Sequence, residues 1–235
     1  MSSIASTGEE RGVEVDEETA RLLDYAGRLH ELSGGRFDVT SGVLRRAWRF
    51  DGSDRVPSEV AVDEVRRLVG WNMVKWDGRR LRLRPGMEVD FGGFGKEYAA
   101  DRASALVIEA SDRSCLINLG GDLITTRPRE DLHPWLVGIE SPGAPVPLAA
   151  RLIRLSAGAL ATSGDAKRFL LKNGARYGHI LDPRTGWPVQ DAPRSVAVAA
   201  GTCLDAGMLA TFAMLNGPDA EAFLEAQKVR HWILR

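Results

Sequence analysis

The sequence contains few of the residues that build covalent cross-links or zinc-type metal centres. Among 235 residues there are only two cysteines and four histidines. Cys115 and Cys203 lie in apolar runs without a CxxC spacing, so we expect two buried free thiols, with a disulfide or a catalytic thiol as the alternative. Because histidine and cysteine show no metal-binding spacing, a bound cation would need carboxylate, hydroxyl and carbonyl oxygens.

Excess charge and long apolar stretches are absent as well. The formal net charge is −1, so no broad basic field exists to attract nucleic acid or anionic lipid, and an anionic ligand must be bound by local features. No apolar run approaches the roughly 18 residues that span a bilayer. The N-terminus lacks the basic segment and apolar core of a secretory signal. On these features the chain is expected to be cytoplasmic, with no membrane span.

Local patterns predict both helices and strands. The length, with 44% hydrophobic and 27% charged residues, suits one large domain or two intertwined lobes. Helices are predicted after Asp16, after Ser58, over 94–110 and over 202–215. Strands are predicted at 73–76, 81–83, 87–90, 115–118, 135–139, 151–155, 167–171, 177–181, 195–199 and 230–234. Because helices and strands do not alternate regularly, the predicted fold class is α+β.

The densest chemical signal is the segment VDFGGFGKEYAADRA. A strand delivers Asp90 to a loop in which Gly92, Gly93 and Gly95 let backbone amides approach a ligand, and a helix begins there. Free amides at the positive end of a helix dipole bind phosphate, and Lys96 can add a point charge. The glycine spacing matches neither a Walker loop nor a dinucleotide fingerprint, so a plain strand-to-helix corner is the alternative.

Four further segments carry polar side chains that could contact a ligand. Residues 118–122 form a Gly-rich turn after a strand, which is also consistent with a plain tight turn. His179 ends a strand with aromatic flanks, although a lone histidine is more often structural. Asp205 and Thr211 lie six residues apart on the predicted last long helix, so they do not share a face. Asp205 also fits the role of a helix-start carboxylate. Short polar contacts are available from Thr162, Ser163 and Asp165.

Taken in order, these segments resemble the FAD:protein FMN transferase (ApbE-like) family. The matching stretches are SGGRFDVTSGVLRRAW, VDFGGFGKEYAADRA, LINLGGDL, WLVGIESP, ATSGDAKRF, GHILDPRTGWPV and AGMLATFAML. No single motif is decisive, but seven in register are specific, and they run from about Gly12 to Asn216. The resemblance implies one two-lobed, T-fold-like α+β domain over residues 1–235, with mixed or antiparallel sheets and a cleft between the lobes.

The resemblance also implies a reaction and its participants. Members of the family bind FAD in the cleft and use Mg²⁺, and a threonine or serine hydroxyl of a target protein attacks the pyrophosphate. FMN then stays on the target and AMP leaves. The expected partners are therefore a flavin nucleotide and an acceptor protein with a flavinylation motif. Metal, lysine and amides would neutralise the diphosphate, and the hydroxyl would need in-line placement.

Roles for individual residues follow from the same resemblance. Asp90 and the Gly92 loop would contact the flavin nucleotide, and Gly93 would turn a carbonyl to the metal. Lys96 would reach the bound nucleotide, and Thr211 would be a side-chain Mg²⁺ ligand. The cleft wall would contain Asn118, Gly120 and Gly121. His179 and Ile180 would line the cofactor, with His179 as a candidate proton acceptor.

The sequence departs from the family pattern on the predicted helix over 202–215. The family typically has an aspartate four residues before the metal-ligating threonine, and this chain has Gly207 there. Asp205 lies two residues earlier, about 200° around an ideal helix, and could substitute only if the backbone is irregular. Loss of a charged oxygen should weaken a hard-cation site. On the sequence alone, Gly207→Asp is therefore expected to tighten Mg²⁺ binding.

A second departure concerns the beginning of the chain, which is short relative to the family. A shortened chain would leave the flavin site exposed or would fill it through a homodimer. Three hypotheses remain open on these residues. The first is an active Mg²⁺-dependent transferase, supported by Lys96, His179 and Thr211. The second is a flavin-binding relative without transfer, because of Gly207. The third is a scaffold without a ligand.

Overall fold

The computed structural model describes residues 4–5, 12–140, 149–165 and 168–235. The chain forms two compact units. Unit 1 contains Met1–Gly93 and Arg168–Pro188, and unit 2 contains Phe94–Lys167 and Val189–Arg235. Each unit is therefore assembled from two separate stretches of the sequence, so neither can form from one continuous part of the chain.

Helices and strands both occur throughout the described residues. The α-helices are α1 (Glu17–Leu32), α2 (Glu59–Arg66), α3 (Gly95–Ala110), α4 (Cys203–Leu215) and α5 (Ala220–Gln227). The first strands are β1 (Ile4–Ala5), β2 (Val13–Glu14), β3 (Lys75–Trp76), β4 (Arg80–Arg82), β5 (Glu88–Val89), β6 (Leu116–Leu119) and β7 (Asp122–Thr125). The others are β8 (Trp135–Glu140), β9 (Ala149–Leu155), β10 (Ala159–Gly164), β11 (Phe169–Lys172), β12 (Ala175–Gly178), β13 (Ser195–Ala200) and β14 (Arg230–Leu234). Short 3-10 helices cover Val39–Arg46, Trp71–Met73, Phe91–Gly93 and Gly217–Asp219.

Local chemistry sets the limits of α1 in unit 1. The Asp16 side chain accepts a hydrogen bond from the Thr19 amide at 2.7 Å, which caps the first turn. Leu23, Ala26 and Leu29 recur at helical spacing and are almost completely buried. The helix stops before Gly34 and Gly35, whose φ angles of 58° and 75° are left-handed.

An aromatic cluster forms much of the core of unit 1. Trp48 is 2% exposed and packs with Leu44, Val62 and Leu170, which are equally buried. The Trp48 indole donates a hydrogen bond to the Gly186 carbonyl at 2.8 Å, so its polar edge is satisfied. Partly buried rings complete the cluster: Phe50, Tyr177 and Trp187.

Unit 2 is built around a five-stranded antiparallel sheet in the order β14-β13-β10-β7-β6. Side chains on its central strands alternate between two apolar layers. On one face, Ile124, Ala159 and Ala161 pack with Ala100 of α3 and Ala206 of α4. On the other face, the sheet packs against the β8–β9 hairpin through Leu123, Leu160, Val137, Ile139 and Leu155. The sheet is therefore covered on both faces.

The predicted α+β class is confirmed, and every described strand pair is antiparallel. Most predicted elements occur within a few residues of their predicted limits. β7 and β10 were not predicted, although they lie at the centre of the unit 2 sheet. The predicted strand over 177–181 ends at Gly178, and the one over 167–171 includes Lys167, which lies outside the described residues.

Candidate functional site

The predicted site residues of unit 1 lie in two separate sets of contacts. In the first set, the Asp90 carboxylate accepts a hydrogen bond from the Gly92 amide at 2.7 Å and lies 3.5 Å from the Arg45 guanidinium. A Cβ atom at Gly93 would lie 2.9 Å from the Phe37 ring, so packing alone requires glycine there. Asp90 therefore closes a turn ahead of α3 while its side chain remains about one third exposed.

The second set surrounds the β11–β12 hairpin of unit 1. Asn173 and Gly174 both have positive φ angles, 51° and 78°, as a two-residue hairpin turn requires. His179 follows β12, and its ring meets Phe50 edge-on with 6.3 Å between centroids. His179 and Ile180 are both half-buried. The aromatic core of unit 1 thus fixes the position of the predicted proton acceptor.

Unit 2 brings several predicted residues together at the start of α3. The N-cap residue of this helix, Phe94, makes no side-chain cap hydrogen bond, and Lys96 lies in the first turn. The Lys96 ammonium pairs with Asp122, which is 1% exposed. Burial by itself would lower the pKa of Lys96, but the hydrogen bond and charge of Asp122 raise it above its usual value. Lys96 therefore stays charged in the first turn of α3, at the positive end of the helix dipole.

The Gly-rich turn between β6 and β7 lies next to Lys96. Gly120 and Gly121 have φ angles of 66° and 101°, and the Asn118 side chain accepts a hydrogen bond from the Gly121 amide at 2.9 Å. A Cβ atom at Gly120 would lie 3.8 Å from the Lys96 side chain. The turn geometry explains both glycines, and it leads directly into Asp122. The turn with Asn118, Gly120 and Gly121 is thus close to Lys96, and its role as a cleft wall stays a prediction.

Asp122 organises this part of unit 2, and the sequence did not single it out. One of its oxygens pairs with Lys96, and the other accepts the Thr162 amide of β10 at 3.3 Å. Asp165 is engaged elsewhere, 2.9 Å from the Arg194 guanidinium. The only sequence signal for Asp122 was its place at the end of the Gly-rich turn.

Contacts at the beginning of α4 explain the role of Asp205. Thr202 caps the helix by accepting the Asp205 amide at 3.1 Å, and its hydroxyl donates to the Asp205 carboxylate at 2.7 Å. Both oxygens of Asp101 accept amides of the same helix, those of Cys203 and Leu204, at 2.7 and 2.9 Å. Asp205 thus has the helix-start role that the sequence offered as an alternative. Its role as a metal ligand stays a prediction.

Gly207 lies against a carboxyl group of another helix. A Cβ atom at Gly207 would lie 2.5 Å from Cγ and 2.9 Å from Oε1 of Glu97 on α3. Glu97 is 6% exposed, and its Oε2 atom has no hydrogen-bond partner among the described residues. Burial and the neighbouring Asp122 carboxylate raise the pKa of Glu97. Thr211, the predicted magnesium ligand, is half-buried one turn further along α4.

The family assignment rests on the whole chain. The family model described as "ApbE family" matches residues 1–233. The chain belongs to the ApbE family.

Named relatives and solved structures agree with this assignment. The chain is 29% identical over 220 residues to FAD:protein FMN transferase of Vibrio cholerae, covering 92% of this chain and 66% of that protein. For the Haemophilus influenzae protein of the same name, the identity is 26%, with coverages of 88% and 62%. The ApbE crystal structure from Thermotoga maritima superposes with a TM-score of 0.83 at 33% identity, covering 96% of this chain and 75% of that one. The apo flavinyl transferase ApbE of Pseudomonas stutzeri gives a TM-score of 0.80 at 28% identity, with coverages of 95% and 72%.

This ApbE family member spans slightly less than two thirds of the length of the curated relatives it matches, from 60% to 66%. Among its described residues, no helix combines the length and apolar character needed to cross a membrane. Unit 2 also has an open groove of about 520 Å³ beside β9, β13 and β14, bounded in part by Leu152, Arg154 and Trp232. None of the predicted site residues lines this groove, so it is not the candidate site.

In this ApbE protein, the oxygen donor groups of unit 2 suit a hard cation better than a soft one. Within the described ranges, no three His, Cys, Asp or Glu side chains converge as they would in an all-protein metal cage. Mg²⁺ does not need such a cage, because it keeps several waters and binds one or two carboxylates together with substrate phosphates. A buried carboxyl oxygen without a partner at Glu97 and a hydroxyl at Thr211 fit that requirement.

The two cysteines of this ApbE chain are free thiols, as predicted. Cys203 is fully buried, and burial raises the pKa of its thiol far above the usual range, so it is unreactive. Cys115 is only half-buried, and it directly precedes β6, the edge strand of the sheet. Neither cysteine contributes to the candidate site.

Proposed function

We propose that the chain is an FAD:protein FMN transferase that moves FMN from FAD to a threonine or serine of a target protein, with Mg²⁺. The observation that carries the proposal is the family match over residues 1–233. The relatives named above carry this activity in their names. Because the chain is shorter than those relatives, its activity, its substrate and its acceptor protein are all part of the proposal.

The proposed reaction is a phosphoryl-type transfer in which charge and position matter most. The acceptor hydroxyl oxygen forms a bond to the phosphorus of the FMN half, and the bond from that phosphorus to the AMP phosphate oxygen breaks. AMP leaves, and the hydroxyl proton passes to a base, for which His179 is the candidate. A bound Mg²⁺ would supply positive charge to the diphosphate.

The residues of each unit have separate tasks in this proposal. In unit 2, the positive end of the α3 dipole and the Lys96 ammonium favour an anionic diphosphate. Asp122 holds Lys96 in place, and the turn at Gly120 and Gly121 forms the adjoining wall. In unit 1, Asp90 is assigned to the flavin nucleotide, and His179 and Ile180 line it. The cleft between two lobes, the cytoplasmic location and a homodimer stay predictions.

The test is an incubation with FAD, Mg²⁺ and a target domain that carries an acceptor threonine. We expect AMP release and a mass increase of the target by one FMN, and both should stop when EDTA removes the metal. An acceptor domain with that threonine replaced by alanine is the matched control. No AMP and no covalent flavin under any of these conditions would reject the proposal.

A flavin-binding relative without transfer activity is the second candidate, because Gly207 replaces the expected metal-ligating aspartate. Flavin that copurifies with the chain, or binds saturably, while no AMP forms would favour this candidate. If FAD does not bind even at millimolar concentration, both candidates fail and only the scaffold hypothesis remains.

A further inference from the structure

Glu97, in the first turn of α3, keeps one buried carboxyl oxygen without a hydrogen-bond partner among the described residues. It is 6% exposed, and its Oε2 atom has no hydrogen-bond partner in the described parts of the chain. The nearby carboxylates are all occupied: Asp122 by Lys96 and Asp101 by two amides of α4. A buried carboxyl oxygen without a partner is costly, and a bound ion is one of the common reasons for keeping it.

Gly207 provides the space in which the Glu97 side chain lies. Any side chain at position 207 would start with a Cβ atom 2.5 Å from Glu97 Cγ and 3.0 Å from Cδ. The helical backbone does not require glycine at this position, since glycine inside a helix is less stable than alanine. Packing against Glu97 is therefore the structural reason for glycine here.

The Glu97 carboxyl group and Thr211 lie at the same face of α4. Positions 207 and 211 are four residues apart on one helix, so they lie one above the other. The Cα–Cβ bond of a helical residue tilts toward the N-terminus, which directs the Thr211 side chain to the turn that contains Gly207. A carboxylate from α3 and a hydroxyl from α4 are thus placed on the same face of α4, where α4 alone was expected to supply both ligands.

We propose that Glu97 supplies, from α3, the carboxylate ligand of a divalent cation that α4 lacks at Gly207. This assignment rests on the metal requirement of the proposed function. The cation is bound by the Glu97 carboxylate together with the Thr211 hydroxyl, and the phosphates of the ligand and water complete its shell. Asp205 is not needed, because its carboxylate is held by Thr202 in the helix cap.

The assignment changes what is expected of substitutions at position 207. Gly207→Asp alone would displace the Glu97 side chain. One carboxylate would then replace another, so the affinity for the divalent cation should not increase. Gly207→Ala adds only a methyl group and favours the helix, yet it should displace Glu97 and weaken metal binding. Neither result is expected if Glu97 is a passive core residue.

The experiment measures Mn²⁺ affinity by electron paramagnetic resonance on the full chain, with and without FAD. The variants are Glu97→Gln, Glu97→Ala, Gly207→Ala and the double variant Glu97→Ala/Gly207→Asp. Glu109→Gln, an exposed position at the other end of α3, is the matched control. We expect the three single variants at the site to lose roughly tenfold or more in affinity. The double variant should return to within a few-fold of the original protein, and the control should not change.

Two results would overturn the assignment. One is unchanged Mn²⁺ affinity in Glu97→Gln, which keeps the shape of the side chain. The other is a double variant that melts like Glu97→Ala but does not recover affinity. If the double variant does not fold, the Mn²⁺ affinities of Glu97→Gln and Gly207→Ala test the assignment instead. Gly207→Ala keeps both proposed ligands, Glu97 and Thr211, so a loss of affinity in this variant reports the displacement of the Glu97 side chain.

The result of the metal-binding experiment can be distinguished from the result of the transfer assay. Mn²⁺ binding that depends on Glu97, in a protein that releases no AMP, supports the metal ligand and rejects the transferase. AMP release that persists in Glu97→Gln with unchanged metal affinity rejects the ligand and keeps the transferase.

Discussion

At the scale of single residues, the buried carboxylates of unit 2 distinguish structural from chemical roles. Asp101 and Asp205 satisfy the start of α4, and Asp122 holds Lys96. Of the carboxylates in the described part of unit 2, only Glu97 retains a buried oxygen without a hydrogen-bond partner. The local hydrogen-bond partners of a carboxylate, rather than its place in a motif, therefore indicate which one is available for a ligand.

Asp122→Asn tests the importance of the Lys96 contact for stability. The amide keeps the shape of the side chain but removes the charge that pairs with Lys96 in a site that is 1% exposed. We expect the free energy of unfolding to fall by about 1–3 kcal/mol, measured by urea denaturation.

Asp131→Asn is the control for this substitution. Asp131 pairs with Arg129 at 2.6 Å, but the side chain is 45% exposed. Exposed ion pairs contribute less than about 1 kcal/mol, so this change should be small. Equal effects of the two substitutions would show that Asp122 has no special structural role.

At the scale of elements, the junction between α1 and the 3-10 helix Val39–Arg46 depends on one buried ion pair. Asp38 is 5% exposed and accepts hydrogen bonds from the Thr40 amide at 2.8 Å and the Trp71 amide at 2.8 Å. His30, in the last turn of α1, lies 3.4 Å away. Burial would raise the pKa of Asp38, but the nearby His30 and the hydrogen bonds from Thr40 and Trp71 outweigh it and hold the pKa below its usual range. The Asp38 carboxylate raises the pKa of His30.

The pair predicts a stability that falls at both ends of the pH scale. A depressed carboxylate pKa contributes stability above about pH 4, which is lost as the pH falls further. A raised histidine pKa contributes stability below about pH 6.5, which is lost as the pH rises through the folded-state value. Between pH 6 and 9 we expect the original protein to lose up to about 1 kcal/mol of unfolding free energy more than His30→Gln does.

Chemical denaturation at a series of pH values measures this difference. His133→Gln changes an exposed histidine and should keep the full pH dependence of the original protein. If His30→Gln has the same dependence from pH 6 to 9, the pair does not contribute to it.

Elements that depend on local interactions were the ones that the sequence predicted best. The Asp16 cap of α1, the Thr202 start of α4 and the Asn173–Gly174 turn all act between residues a few positions apart. β7 and β10 were missed, because short apolar runs carry no periodicity that separates a buried strand from a turn or helix segment. Only pairing with β6 and β13 gives these segments their structure.

At the scale of the whole molecule, FAD with Mg²⁺ should stabilise the protein. A ligand that binds only the folded state, at a hundred times its dissociation constant, adds about 2.7 kcal/mol. For a chain of this size that corresponds to a rise in melting temperature of about 5–10 °C. Differential scanning fluorimetry measures it, and FAD with EDTA should give a smaller rise. Equal melting temperatures with and without FAD would contradict the proposed flavin site.

The sequence by itself determined the family and the α+β class, and it proposed site residues whose roles stay predictions. Seven short motifs in a fixed order carry that information, since each reflects local turn, cap or helix chemistry. The tertiary structure alone decided which of these groups meet. Lys96 and Asp122, or Glu97 and Gly207, are far apart in the chain, and only the packing of α3 against β7 and α4 brings them together. The missing carboxylate at Gly207 was visible in the sequence, but the side chain that fills its space was not, because that contact depends on how two helices pack.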